Sequence, residues 1–239
     1  MRIGGALLLP GAVGFDNVSV ACYPSGSGND FVKVFGSKND FLNINDLING
    51  KVTKVDVIKV NEKYALNICN FGFDGAVVDK MLLFKNKPFV SGKGAYYLAV
   101  LYSILSKMNY QCEIKIDGEH FYQGNFLLCA LANGICYGGG FYCAPKAIVN
   151  DGMIDVVLVK KVRRLKFVSL MGVYRKGKHL EDKRLVNIVK YAQGKTIEVT
   201  SPKDLVYTLD GETGKTQKLC ISIIEKGINF VIPQKLVKE

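Results

Sequence analysis

A chain of 239 residues with 49% apolar side chains can bury one large core or two small ones, and 22% charged residues exclude wholesale disorder. The formal charge of +11 favours polyanionic partners (an anionic membrane surface, nucleic acid or phosphorylated small molecules) over the plainer alternative of a basic surface kept for solubility. Seven cysteines without a C-x-x-C pair, and only two histidines, argue against a zinc site and for free thiols in a reducing cytosol.

In chain order, residues 18–23 read as a buried strand, followed by Pro24-Ser25-Gly26-Ser27-Gly28-Asn29-Asp30 and a helix over 31–35. Strand, glycine loop and helix make half of a parallel α/β unit. A further helical piece is predicted over 42–48. Val52, Val55, Val57, Ile58 and Val60 predict a strand over 51–60, with another at 64–69. Apolar faces predict helices over 74–84 and 94–108. The segments 110–116 and 121–130 make a hairpin through Asp117-Gly118, where glycine accepts a positive φ. Short, turn-bounded apolar runs at 154–159, 185–191, 196–199, 205–209, 219–224 and 227–232 have the spacing of an antiparallel β-rich domain. One helix, over 165–174, interrupts them. The expected division is an α/β part over 1–50 and a β-rich part over 51–239.

Four segments carry candidate chemistry. In Pro24–Phe31 the glycines let the backbone approach phosphate, Ser27 offers a hydroxyl, and Asp30 is suited to orienting magnesium or a substrate hydroxyl; a tight turn with a helix cap explains the same residues. In Asn67-Ile68-Cys69-Asn70-Phe71-Gly72-Phe73-Asp74-Gly75, polar groups interrupt a strand end, and Asp74 is equally a helix cap. The third segment runs from Asn133 through Gly138-Gly139-Gly140 and Ala144-Pro145 to Asp151-Gly152. Its three consecutive glycines imply close packing or a ligand, and Asp151-Gly152 is either a turn or a hard-cation site. Asp210-Gly211-Glu212, at a strand end, is either a hairpin turn or a carboxylate pair suited to general-base or magnesium chemistry.

In this order the four segments resemble the catalytic region of the diacylglycerol kinase and sphingosine kinase superfamily, in particular its soluble bacterial lipid kinases, from about Val18 to Pro233. The resemblance implies a phosphofructokinase-like α/β nucleotide-binding domain, here partial, followed by a β-sandwich-like second domain. It implies transfer of the ATP γ-phosphate to diacylglycerol or a similar lipid, with ATP and Mg²⁺ as cofactors. Gly26, Ser27, Gly28 and Asn29 match the nucleotide loop, with serine for the family's threonine, and Asp30 falls on the loop's polar pair near the phosphates. Asp74 matches the aspartate toward the lipid head group, and Asp151 a magnesium-holding carboxylate with the carbonyls of Ile148 and Met153. Glu212 matches the proposed general base. The family's Gly-Gly-Asp-Gly-Thr loop has no counterpart, since Gly4-Gly5 is followed by Ala6-Leu7-Leu8-Leu9. The front of the nucleotide domain is therefore expected to be missing, and a non-catalytic lipid-binding remnant is the alternative function.

Between Lys160 and Lys190, eleven basic residues (Lys160, Lys161, Arg163, Arg164, Lys166, Arg175, Lys176, Lys178, Lys183, Arg184 and Lys190) face only Glu181 and Asp182. This region, with the helix at 165–174, is expected to face an anionic membrane; a core-packed helix with a solvated basic flank is the alternative. No run reaches the roughly 18 apolar residues of a membrane span, which predicts a cytoplasmic, peripherally associated protein. Nucleic acid is not an expected partner, because no recognition motif accompanies the charge. An exposed α/β edge at the front predicts poor solubility or association into a homodimer.

Overall fold

The computed structural model describes residues 12–25, 29–73, 77 and 109–237. The expected helices at 74–84 and 94–108 lie outside the described residues, apart from Val77. The ten described strands are β1 (Ser19–Val20), β2 (Lys51–Val60), β3 (Lys63–Ala65), β4 (Ile68–Gly72), β5 (Tyr110–Ile116), β6 (Glu119–Ala132), β7 (Ile154–Lys160), β8 (Val189–Gly194), β9 (Thr196–Leu209) and β10 (Glu212–Ile232). Two α-helices lie wholly among the described residues, α1 (Ile44–Ile48) and α2 (Arg164–Arg175).

All ten strands belong to one sheet, ordered β3-β2-β10-β9-β4-β6-β7-β8. It folds on itself because β6 and β9 are each long enough to pair with both β4 and β5 along one edge. Near one end they flank β4, through Phe71↔Cys129 and Phe71↔Tyr207; near the other they flank β5, through Ile114↔Tyr122 and Ile114↔Val199. The enclosed space is filled by Ile58, Phe71, Ile114, Phe126, Leu131, Leu158, Ile197 and Leu209. Two-residue turns set the registers. Asp117 and Gly118 have φ of 49° and 83°, and Asp210 and Gly211 of 48° and 96°, the left-handed pair that matches strand twist in a hairpin.

The β-rich expectation for residues from 51 onward holds, with four corrections. The strand expected at 64–69 breaks at Leu66 and Asn67, whose N–H groups go to the Asp210 carboxylate, so that β3 and β4 are separate strands. The runs at 219–224 and 227–232 are one strand, β10, whose register against β2 shifts between Ile224 and Ile228 instead of breaking. The runs at 196–199 and 205–209 are likewise one strand, β9. Only Val189 to Tyr191 of the expected strand at 185–191 is extended; before it, Ile188 and Val189 donate backbone N–H groups to the Leu185 carbonyl in a turn.

Of the expected α/β layer, the buried strand read over 18–23 is corrected to the two-residue β1, largely exposed and paired in parallel with Asn229 and Phe230 of β10. The expected helix at 31–35 is a single 3-10 turn, Phe31–Val34. Helix α1 is capped by Asn43, whose side chain accepts the Asn45 N–H at 2.9 Å. These elements cover the outer face of β2 and β10 with Phe31, Val32, Phe41 and Leu47, against Val55, Val57 and Phe230. Phe230 anchors them, edge-on to Phe31 (5.2 Å between ring centroids) and stacked on Phe35 (5.3 Å). Phe230→Ala is expected to cost about 3–5 kcal/mol, as for other buried aromatic truncations, read as the change in unfolding free energy in urea.

Candidate functional site

The connection between β3 and β4 is held from the β9–β10 hairpin. The Asp210 carboxylate accepts the backbone N–H groups of Leu66 (2.7 Å), Asn67 (3.2 Å) and Ile68 (2.8 Å). Burial pushes this carboxyl above its ordinary range, the three N–H groups pull it back, and neighbouring Glu212 raises it further. The carboxylate pair read from the sequence therefore divides. Asp210 is committed to the backbone, and Glu212, first residue of β10, is half-buried two positions on.

From Asn67 the contacts continue into the third motif. Its side-chain amide donates to the Cys136 carbonyl at 2.9 Å, and its own backbone carbonyl accepts the N–H groups of Asn133 and Gly134, each at 2.9 Å. Glycine is required at 134, because a Cβ there would overlap the Asn67 Oδ1 atom. The Cys136 thiol points at the Asp30 carbonyl (3.7 Å). The Asp30 carboxylate accepts from Lys33 Nζ at 2.6 Å and from the Gly139 N–H at 2.9 Å. Gly138, Gly139 and Gly140 have φ of 59°, 78° and 121°, so the backbone itself demands the triple glycine. Asp30, Asn67, the glycine loop and the Asp210–Glu212 hairpin thus form one continuous set of contacts. Asn70 lies one strand position further in, accepting the hydroxyl of Thr208 across β4 and β9.

The nucleotide-loop residues Gly26, Ser27 and Gly28 and the head-group candidate Asp74 lie outside the described residues. Asn29 stands at φ 52°, directly before Asp30. Among the described residues this loop offers Lys33, paired with the Asp30 carboxylate, and open space for 4 Å around the Cβ position of Gly139.

Asp151, with Ile148 and Met153, sits apart, on the loop entering β7. Asp151 is exposed and its Oδ1 accepts the Met153 N–H at 3.0 Å. The loop is pinned by buried Asp56 of β2, which accepts the Gly152 N–H at 2.8 Å and the Lys226 N–H at 2.6 Å. Asp56 also receives the Asn133 side-chain amide on its carbonyl, at 2.8 Å, which joins this loop to the rest of the site. Asp155 is buried nearby, accepting the Tyr191 hydroxyl at 2.7 Å; burial raises its pKa, and the Asp151 charge adds to that. Asp151 and the backbone carbonyls of its loop offer oxygen donors alone, the donor type a hard divalent cation takes. Among the described residues no group of three or more His, Cys, Asp or Glu side chains is placed to hold a metal ion.

Sequence reasoning missed Lys33, Asp56 and the anchoring role of Asp210. The signals were present: Lys33 is one helical turn from Asp30, and Asp56 is a lone acid inside the apolar run Val55-Asp56-Val57-Ile58.

Beside the glycine loop lies an almost wholly apolar cavity of about 100 Å³. Tyr137, Gly138 and Phe141 of the loop region line it, together with Phe73, Leu128 and the α2 residues Phe167, Met171 and Tyr174. Under this wall His179 is buried with its ring 4.6 Å from that of Tyr174. Burial pulls its pKa from 6.5 down to about 4, against the opposing backbone groups of Cys143 and Tyr174.

Similarity to known proteins follows the same residues. The profile of a family described as "YegS C-terminal NAD kinase beta sandwich-like domain" matches residues 67–231. The chain is 31% identical over 217 residues to "Probable lipid kinase YegS-like" of Shewanella frigidimarina, covering 90% of this chain and 68% of that one. It is 29% identical to a diacylglycerol kinase of Bacillus subtilis, over 90% of this chain and 70% of that one. A crystal structure of a diacylglycerol kinase from Bacillus anthracis shares the fold with a TM-score of 0.66 at 20% identity, covering 92% of this chain and 68% of the other.

The buried imidazole sets a pH dependence. Unfolded His179 takes up a proton near pH 6.5 and the folded chain resists until about pH 4, so its contribution is full above 6.5 and is lost as pH falls through that window. The loss amounts to about 3 kcal/mol. Urea unfolding at pH 7 and at pH 4 should show a smaller drop for His179→Gln than for the wild type, by roughly this amount.

Proposed function

This chain belongs to the family of YegS-like lipid kinases, and we propose that it transfers the γ-phosphate of ATP to the hydroxyl of diacylglycerol or a related lipid alcohol. The observation that carries this reading is the junction of Asp30, Asn67 and the Asp210–Glu212 hairpin beside an apolar cavity. Polar groups for phosphate chemistry and an apolar volume for an acyl chain meet at one glycine loop.

In this reading Glu212 accepts the proton of the lipid hydroxyl, held in place by the anchorage of Asp210 two residues before it. Gly26, Ser27, Gly28 and Asn29 hold the nucleotide phosphates, Asp30 orients the reacting groups with Lys33, and Asp74 lies toward the lipid head group. Asp151, with the carbonyls of Ile148 and Met153, holds Mg²⁺, which when bound supplies positive charge that stabilises the loop structure. Residues 1–50 then belong to a phosphofructokinase-like nucleotide domain and 51–239 to the β-rich lipid-kinase domain. A lipid-binding chain without transfer activity is the second reading, for which the apolar cavity suffices without any role for Glu212.

The deciding measurement is Mg²⁺-dependent transfer of labelled phosphate from ATP to diacylglycerol in mixed micelles. Glu212→Gln should lower the rate by about 10²–10⁴-fold, the range for loss of a general base, with the melting temperature unchanged. Absence of transfer from folded wild-type chain would move it to the second reading. Independently of activity, millimolar Mg²⁺ should raise the melting temperature of the wild type and leave that of Asp151→Ala unmoved, since a ligand stabilises only the state that binds it.

A further inference from the structure

Helix α2 carries two different apolar faces. Phe167, Leu170, Met171 and Tyr174, at helical spacing, line the cavity. On the other side Leu165 and Val168, one turn apart, are 87% and 52% exposed, the highest exposure of large apolar side chains on the helix. The cations are concentrated around this second face. Arg163, Arg164 and Lys166 flank Leu165 and all are exposed, and a further exposed group follows the helix at Arg175, Lys176 and Lys178. From residue 160 to 190 eleven cations stand against two carboxylates, and one of those, Asp182, is already paired with Arg184. A core-packed helix with a solvated flank would turn Leu165 inward; a helix designed only for solubility would carry neither Leu165 nor Val168 outward.

We propose that the exposed face of α2 docks the protein on an anionic lipid bilayer, with Leu165 and Val168 entering the head-group layer and the flanking cations meeting lipid phosphates. The occupant follows from charge complementarity together with the apolar pair, the pattern of an interfacial helix. Among the described residues no helix is long and apolar enough to cross a membrane, so the contact is one of lying on the surface. The position of the cavity adds a reason for this element in particular. Because the opposite face of the same helix lines the cavity, docking through α2 leaves that cavity about one helix diameter, roughly 10 Å, from the bilayer surface. The proposal names the surface from which the substrate of the kinase reading is drawn, and rests on that reading for this last step alone.

The test is co-sedimentation of the full chain with vesicles of phosphatidylcholine, with or without phosphatidylglycerol, in the absence of ATP. Wild type should bind the anionic vesicles and be released by salt. Arg163→Ala with Lys166→Ala should weaken that binding about 25-fold, at roughly fivefold for each surface cation. Leu165→Glu with Val168→Glu should abolish it while leaving the melting temperature unchanged, because neither side chain is buried. Transfer to diacylglycerol dispersed in detergent micelles, measured on the same variants, separates the two ideas. A docking variant that keeps micelle activity but loses activity on vesicles supports the surface, whereas a wild type without micelle activity removes the kinase reading and leaves vesicle binding to decide on docking. Unchanged vesicle binding in both folded variants would overturn the proposal. So would sedimentation showing a wild-type dimer that Leu165→Glu dissociates without affecting vesicle binding, since the face would then be a contact between copies.

Discussion

The carboxylate of Asp210 accepts three consecutive backbone N–H groups from the turn between β3 and β4, and in doing so joins two regions that sequence keeps far apart. Three donors are close to what one buried carboxylate needs to remain in a desolvated place, since each compensates part of the lost hydration. Removing them would leave a charge buried without partners; removing the carboxylate would leave three N–H groups in the same state. Neither side can change alone. The hairpin that presents Glu212 is therefore fixed relative to Asn67, and through Asn67 relative to Cys136 and the glycine loop. Asp117 uses the same device at the β5–β6 hairpin, where it accepts the N–H groups of Lys195 and Thr196.

Much of the β-rich body was legible because its turns announce themselves. Asp117-Gly118 and Asp210-Gly211 both demand a left-handed pair, and both mark the hairpins they were read to mark. What misled was continuity. Ser201-Pro202 and Glu225-Lys226-Gly227 look like strand breaks, yet the ladder on either side resumes with a shifted register, because the neighbouring strands continue and hold it. Local signals report the preference of a few residues, whereas pairing is enforced by partners elsewhere in the chain. The same limit applied to residues 185–191, where alternating apolar residues suggested a strand but Leu185 is spent on burial in a turn.

The candidate site was legible as four motifs and illegible as a geometry. Each motif has an ordinary explanation as a turn or cap, and several are indeed turns. What sequence could not say is that the Asp30 carboxylate would meet the Gly139 N–H, or that Asp56 would pin the loop carrying Asp151. These are contacts between segments roughly a hundred positions apart, made by groups whose chemistry allows many partners. Asp56 was the most readable of them, since an acid inside an apolar strand must find hydrogen-bond donors.

The docking of residues 31–47 on β10 has a consequence for synthesis. Phe31, Phe41 and Leu47 belong to a cluster that is completed only by Ile228 and Phe230, near the far end of the chain. A ribosome adding residues at ordinary rates needs roughly ten seconds or more to deliver those partners after the first segment has emerged. For that interval three large apolar side chains and an unpaired β1 wait in solution, as a target for holding chaperones and as the first place where premature association would begin.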